Sequence, residues 1–317
     1  VFAAKNGESK EELTKVTLNE VAHSIFYAPQ YVAIEEGYFA EEGLDLTLVT
    51  GFGADKTMTA VISGEADIGF MGAEASIYAY QEGATDPVVN FAQLTQRAGN
   101  FLVAREEMPD FKWEDLKGRK VLGGRKGGMP EMVFEYILKK NGINPQKDLS
   151  INQSIDFGST AAAFTGDDSA AYTVEFEPSA TILEKEGAGY VVASLGEASG
   201  YVPYTSYSTK ASYMKENPEI IQKFTDALQK GMDYVQNHTP EEIAEVIAPQ
   251  FKETDLETIT AIVKRYYDQD TWKENLIFEK DSFELLQDIL EDAGELTDRT
   301  AYENLVQTEY AQKACKN

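Results

Sequence analysis

Between Gly51 and Ser76 the spacing of small, apolar and polar residues spells out a turn, a short helix, a strand and the start of a second helix. Gly51-Phe52-Gly53 interrupts the chain, and Thr57, Ala60, Val61 and Gly64 then recur at helical spacing with small faces. Ala66 to Met71 is a mainly apolar run of strand length, and Gly72-Ala73-Glu74 turns out of it. A short apolar strand feeding a glycine turn and a helix is the unit of a parallel α/β sheet, with the turn at the strand's C-terminal edge. The same order returns later. Asp156 to Thr160 stands for the turn, Ala161 to Gly166 for the helix and Asp168 to Val174 for the strand, and Glu175-Phe176-Glu177-Pro178-Ser179 opens the next helix. Both copies follow a glycine-containing helix exit and a strand, Glu42 to Val49 in one and Asn141 to Ile151 in the other. Two related units predict an α/β chain of two similar lobes, with strand-end edges facing each other across a cleft.

The remaining pattern extends this plan. Lys15 to Val21 reads as the first strand and Tyr31 to Gly37 as a helix closed by glycine. Val88 to Thr95 and Phe101 to Ala104 read as strands, and Lys112 to Gly124 as a short helix and a strand. Met129 to Lys140 is a helix with Pro130 in its first turn, where a missing N–H costs nothing. Val191 to Leu195 and Val202 to Ser208 are strands, the second carrying the chain back to the first lobe. Beyond Asn217 the text is helical, with helices starting at Pro218, Pro240, Asp255, Ser282 and Tyr302. Apolar residues three and four apart, as in Ile259, Ile262, Val263 and Tyr266, would pack these helices onto lobe one. The division expected is 15–101 plus 206–317 for lobe one, 102–205 for lobe two, and 1–14 as a polar N-terminal tether.

Composition narrows the partners. The 317 residues, 43% hydrophobic, suffice for two modest cores. A formal charge of −26 argues against nucleic acid or an anionic membrane as partner. It leaves the ligand open, because a small site can carry a field of either sign. The single cysteine, Cys315, cannot form an internal bridge, and no Cys/His cluster exists to hold zinc. No apolar run reaches the roughly 18 residues that span a bilayer.

The run Ser24 to Asp45, with Tyr27-Ala28-Pro29-Gln30-Tyr31-Val32-Ala33 and Glu36-Gly37-Tyr38-Phe39 inside it, is continued by Ser63-Gly64-Glu65-Ala66-Asp67-Ile68-Gly69. It resembles the solute-binding proteins of ABC importers, in the branch serving alkanesulfonates, taurine, nitrate and the pyrimidine precursors of thiamine. Glu177-Pro178 after a strand and the Asn217-Pro218 helix start also look like that branch, and the similarity covers roughly Val16 to Phe251. The resemblance implies a type II periplasmic-binding-protein fold with two hinge strands, near Asn100 to Ala104 and Pro203 to Ser208. It also implies a monomer that is exported to the periplasm or tethered to the cell surface as a lipoprotein, and that delivers its ligand to a membrane permease. No cofactor, metal or reaction is implied. A ligand touching both lobes only when they are shut would shift the population to the closed state.

Candidate ligand contacts follow from position. His23 and Ser24 precede the first helix, where side chains and free N–H groups would face the cleft, or would serve only as caps. Tyr27 could stack on a flat ligand, with Phe26 left to the core. Phe52 lies in the first glycine turn, and Gly72, Ala73 and Glu74 end the next strand, where glycine lets a backbone N–H come close to a ligand. Glu74 at a helix start is favoured by the helix dipole in any case. Arg125, Gly127, Gly128 and Met129 join a lobe-two strand to a helix N-terminus and would suit an anionic group. Tyr172, Glu175 and Glu177 are placed at the end of a lobe-two strand, the two carboxylates alternating on one side to take an amine or a protonated aminopyrimidine. Glu177 could equally cap the next helix. Tyr204 joins this set from the returning strand.

These signals divide. Arg125 argues for an anion; Glu175 and the aromatics argue for a flat, cationic or hydrogen-bonding ring. A nitrogen heterocycle of the thiamine-precursor type meets both demands, and alkanesulfonate or taurine is the alternative. The rival class is an enzyme, since eukaryotic pyrimidine-precursor synthases resemble the same fold. They use a histidine-rich iron site, whereas His23 and His238 are the two histidines of this chain.

Overall fold

A computed structural model describes residues 13–316. The tether read at 1–14 lies outside the described residues except for its last two positions, and Thr14 already begins a strand. In chain order the strands are β1 (Thr14–Glu20), β2 (Leu44–Thr50), β3 (Ile68–Met71), β4 (Val88–Thr95), β5 (Phe101–Ala104), β6 (Lys120–Leu122), β7 (Ser150–Asn152), β8 (Tyr172–Glu175), β9 (Tyr190–Ser194) and β10 (Thr205–Lys210). They form two five-stranded sheets, β2-β1-β3-β10-β4 and β7-β6-β8-β5-β9.

The two sheets repeat one topology. In the first, β1 is parallel to β2 and β3, while β10 lies antiparallel between β3 and β4. In the second, β6 is parallel to β7 and β8, while β5 lies antiparallel between β8 and β9. The repeat legible in the sequence is therefore a repeat of structure, and each sheet takes one strand from chain that has just left the other lobe. The crossings are residues 96–100 and 200–204, running side by side, with Val202 N donating to Gln96 O at 2.9 Å. They lie earlier than the hinges expected from sequence, because 101–104 and 205–210 are built into the sheets.

Helices cover both sheets. Pro218–Asn237 lies across Ala28–Glu35 in lobe one, so closely that a Cβ on Gly231 would sit 2.4 Å from Pro29 O. Gly231→Ala is accordingly expected to destabilise by roughly 1–2 kcal/mol, since overpacking here outweighs the helix propensity that alanine gains. The measurement is thermal unfolding, and an unchanged or higher Tm would contradict the close crossing.

Two sequence expectations change in this region. The last helix breaks into Tyr302–Leu305 and Glu309–Ala314, because Val306 is extended and bridges to Asn90 beside β4. The helix Lys280–Asp292 reaches beyond lobe one. It packs on Met129–Lys140 of lobe two, and Lys139 donates to Asp292 O there.

Candidate ligand-binding site

The C-terminal ends of β1, β3, β6 and β8 converge on one cleft, as parallel strands bring their following turns to a common edge. The cleft encloses about 530 Å³, its open mouth included. Lobe one lines it with Val21, Tyr27, Gly53, Ala54, Gly72 and Glu74; lobe two with Arg125, Gly128, Met129, Pro130, Asp156, Phe157 and Phe176; the second crossing with Tyr204 and then Thr205 of β10. The lobes are shut on each other. Ser24 Oγ donates to Glu177 O at 2.6 Å, Tyr78 Oη to Gly127 O at 2.9 Å, and Lys126 pairs with Glu295 at 3.1 Å.

The walls are largely aromatic and the polar groups few. Phe26 packs between Tyr27, at 5.0 Å between ring centroids, and Phe176, at 5.7 Å, and it sits edge-on to Tyr204 at 5.5 Å. Phe157 meets Phe176 edge-on at 5.1 Å. Flat rings stack well on such walls.

The carboxyl of Glu74 is a buried polar group of the lining. It is 2% exposed, and its Oε1 has no hydrogen-bond partner. Burial pushes it up to about 8, against the pull of Arg125 and nearby backbone N–H groups. Gly72 makes room for it: a Cβ there would lie 1.9 Å from Glu74 Oε1. The glycine read from sequence as admitting a ligand to the backbone admits this carboxyl instead. Arg125 enters from lobe two, its Nε 3.5 Å from Asp156 Oδ1 and its Nη2 3.8 Å from Asp55 Oδ1 of lobe one. Both its neighbours are acidic, so the guanidinium reaches the cleft already paired. A wider groove lined by Met58, Ile62, Tyr78, Lys126, Gly127 and Glu295 opens from the same space at Glu74, Arg125 and Gly128.

Of the residues singled out from sequence, Tyr27, Gly72, Glu74, Arg125, Gly128, Met129 and Tyr204 line the cleft, and Gly127 lines the groove beside it. Ala73 is buried immediately behind, as N-cap of the helix Glu74–Gln81.

The rest are held elsewhere. His23 does not face the cleft: its Nδ1 lies 2.7 Å from Glu20 Oε2, its Nε2 2.9 Å from Gln250 O, and its ring rests on Phe251. Burial works against its charge, but the bond to Glu20 and the charge of Glu20 prevail and hold its pKa above the ordinary value. Ser24 caps the short turn Ile25–Tyr27 and latches the lobes. Phe52 is 65% exposed at the rim.

Tyr172 begins β8 rather than ending it, so its hydroxyl lies near Met108 at the far edge of the sheet. Glu175 and Glu177 do not share a direction, because β8 stops at Glu175. Glu175 turns back to Thr173 Oγ1 at 2.6 Å, and burial pushes it up to about 7. Glu177 takes the capping role, accepting from Thr181 N at 2.7 Å and pairing with Arg265 at 3.3 Å.

Sequence reasoning passed over Asp156, Phe157 and Phe176. The signal was present, since Asp156-Phe157-Gly158 occupies the place of Gly51-Phe52-Gly53 in the second copy of the repeat.

A model of the NMT1/THI5-like family matches residues 25–243, more than half of the chain. The chain belongs to the NMT1/THI5-like family. This family member is 47% identical over 313 residues to YtlA of Bacillus subtilis, a candidate binding protein, covering 99% of this chain and 93% of that one. It is 25% identical to the riboflavin-binding protein RibY of Chloroflexus aurantiacus, over 73% of this chain and 65% of that one. The 4-amino-5-hydroxymethyl-2-methylpyrimidine phosphate synthase of Aspergillus parasiticus is also 25% identical, over 66% of this chain and 63% of that one. Among solved structures, the periplasmic nitrate-binding protein NrtA from Synechocystis superposes with a TM-score of 0.81 at 17% identity, covering 96% of this chain and 89% of that one. That likeness is one of fold. The NMT1/THI5-like chain has the two-lobe α/β architecture of periplasmic binding proteins, with its C-terminal helices packed chiefly on the first lobe.

Proposed function

We propose that this NMT1/THI5-like protein is the solute-binding component of an ABC importer. It captures a small nitrogen heterocycle between its lobes and delivers it, as an exported monomer, to a membrane permease, without catalysing a reaction. The observation that carries the ligand class is the Glu74 carboxyl, buried, unpartnered at Oε1 and set among Tyr27, Phe176 and Tyr204. An exocyclic amine would donate to Oε1 and a ring nitrogen would take the proton that the raised carboxyl holds, whereas a sulfonate or nitrate brings no donor for Oε1 and would set an anion beside the carboxyl once its proton is lost. Arg125, the residue that favoured an anion, faces Asp55 and Asp156. The relatives support the reading by what their names say of them, a candidate binding protein, a riboflavin-binding protein and an aminopyrimidine phosphate synthase.

The anion reading retains one support, the start of the helix Met129–Lys140, whose Gly128 and Met129 face the cleft. A thermal-shift panel separates the two. At about a hundred times its Kd, a ligand stabilises the native state by about 2.7 kcal/mol, a rise of roughly 5 °C or more. The expected result is such a rise with 4-amino-5-hydroxymethyl-2-methylpyrimidine and none with taurine, an alkanesulfonate or nitrate. The opposite pattern would replace the heterocycle by an anion.

A further inference from the structure

The groove beside the cleft is the larger of the two spaces. Its volume, open mouth included, is about 1280 Å³ against about 530 Å³ for the cleft, and Ala54, Glu74, Arg125 and Gly128 line both. It runs between the lobes, since the bond from Tyr78 Oη to Gly127 O and the pair of Lys126 with Glu295 join its two walls. A ring held at Glu74 therefore stands where the two spaces meet, with the groove open to a substituent on that ring.

The floor of the groove is apolar. Met58 and Ile62 lie one turn apart on the helix Ala54–Ser63, and Ala75 and Ala79 one turn apart on Glu74–Gln81, so each helix turns one face to the groove. Ile62 is 51% exposed, a large aliphatic side chain left open to water. An apolar strip with a polar rim marks a surface that receives an apolar group. The charged residues of the rim are largely spent on one another. Lys126 is paired with Glu295 and Arg125 with Asp55, in each case across the lobes, and Glu82 adds a further acid. A phosphate would find both cations engaged and acids beside them. An ammonium group would find the acids engaged or open to water, where an ion pair is worth little.

We propose that the groove is a second subsite, which takes an uncharged, largely apolar arm carried by the ring that the cleft holds. The inference rests on the heterocycle reading and adds the part of the ligand outside the ring. It also makes the protein reject phosphorylated forms of its ligand.

The test is calorimetric titration of the full chain and of its Ile62→Asp and Ala79→Phe forms. The probes are 4-amino-5-hydroxymethyl-2-methylpyrimidine, its butyl ether at the hydroxymethyl group, and the same ether ending in a phosphate. The native protein is expected to bind the butyl ether about tenfold more tightly than the parent ring, a part of what burying a butyl chain can yield once the chain has been ordered. The phosphate-ended ether should bind no more tightly than the parent. Ile62→Asp, at a half-exposed position that the fold does not depend on, should erase the gain of the butyl ether and leave the affinity of the parent ring largely unchanged. Ala79→Phe fills the floor from the other helix and should do the same. A general loosening of the fold would weaken parent and ether alike. A butyl ether no tighter than the parent in the native protein, or a gain that survives in Ile62→Asp, overturns this inference and leaves the heterocycle reading standing. A phosphate-ended ether as tight as the butyl ether overturns it as well. Failure of the native protein to bind the parent ring or either ether overturns both.

Discussion

Glu74→Gln is expected to weaken binding of an uncharged aminopyrimidine about 10- to 100-fold at pH 7, the loss that follows when a charge-assisted bond becomes a neutral one. It should also abolish the pH dependence of the native protein. In the empty cleft, burial pushes the carboxyl up to about 8, so below that pH it meets the ligand with its proton in place and shares it with a ring nitrogen. Above about 8 the free protein has lost the proton and must take one up on binding. Native affinity should therefore be level from pH 6 to about 7.5 and then fall, approaching tenfold per unit, while the Gln form stays level.

The empty protein supplies a second readout. A carboxyl whose folded pKa exceeds its unfolded one contributes stability that is fully present below about 4.5 and lost as pH rises to about 8. Glu74→Gln should thus raise Tm at pH 8 and leave it nearly unchanged at pH 4.5. Isothermal titration and thermal unfolding across this range check both. Native affinity that climbs from pH 7 to 9 would mean that the guest arrives with a fixed positive charge.

The largest gain in stability is expected from a position outside the cleft. Glu131 and Glu135 lie one turn apart on the buried face of Met129–Lys140, where Gln153 Nε2 donates to Glu131 at 2.7 Å and Gln146 Nε2 to Glu135 at 3.1 Å. Glu131 is completely buried and its Oε2 has no donor. Burial first, and then the nearby carboxylate of Glu135, push Glu131 up to about 9, so Glu131 keeps its proton at neutral pH.

The unfolded chain releases that proton near pH 4.5, and the native state keeps it to about 9. Stability from this site is whole below the first value and drains away toward the second. Glu131→Gln replaces the carboxyl that must hold a proton by a neutral amide and retains an oxygen for Gln153 to contact. It should stabilise by about 2 kcal/mol at pH 8, a rise in Tm of several degrees, with little effect at pH 4.5. Equal unfolding midpoints at pH 8 would mean that Glu131 is not held protonated in the native state.

The two copies of the strand-turn-helix unit were legible because alternation, small helical faces and glycine turns are local signals. They carried the fold class, the two sheets and the cleft edge at the strand ends. Tyr27, Glu74 and the turn from Arg125 to Met129 could be placed at the cleft edge for the same reason, since each follows a strand that the pattern identifies. The directions of individual side chains were not legible. The sequence pattern sets Tyr172 at the end of β8, whereas it begins the strand, because an apolar run does not mark its own pairing register. Spacing sets Glu175 and Glu177 alternating on one strand, but the strand ends between them and each finds a nearby donor, Thr173 in one case and Thr181 in the other.

By itself the sequence determined a duplicated α/β chain, a largely helical C-terminal third, a strongly acidic surface and the turns at which a guest could be held. Tertiary structure alone decided that Glu74 is buried without a partner at Oε1, that Arg125 reaches the cleft between two aspartates, and that His23 is engaged by Glu20 and Gln250. The physical reason is range. Helices and strands answer to neighbours a few residues away, while the burial and pairing of a polar atom are set by groups far along the chain that only the folded lobes bring together.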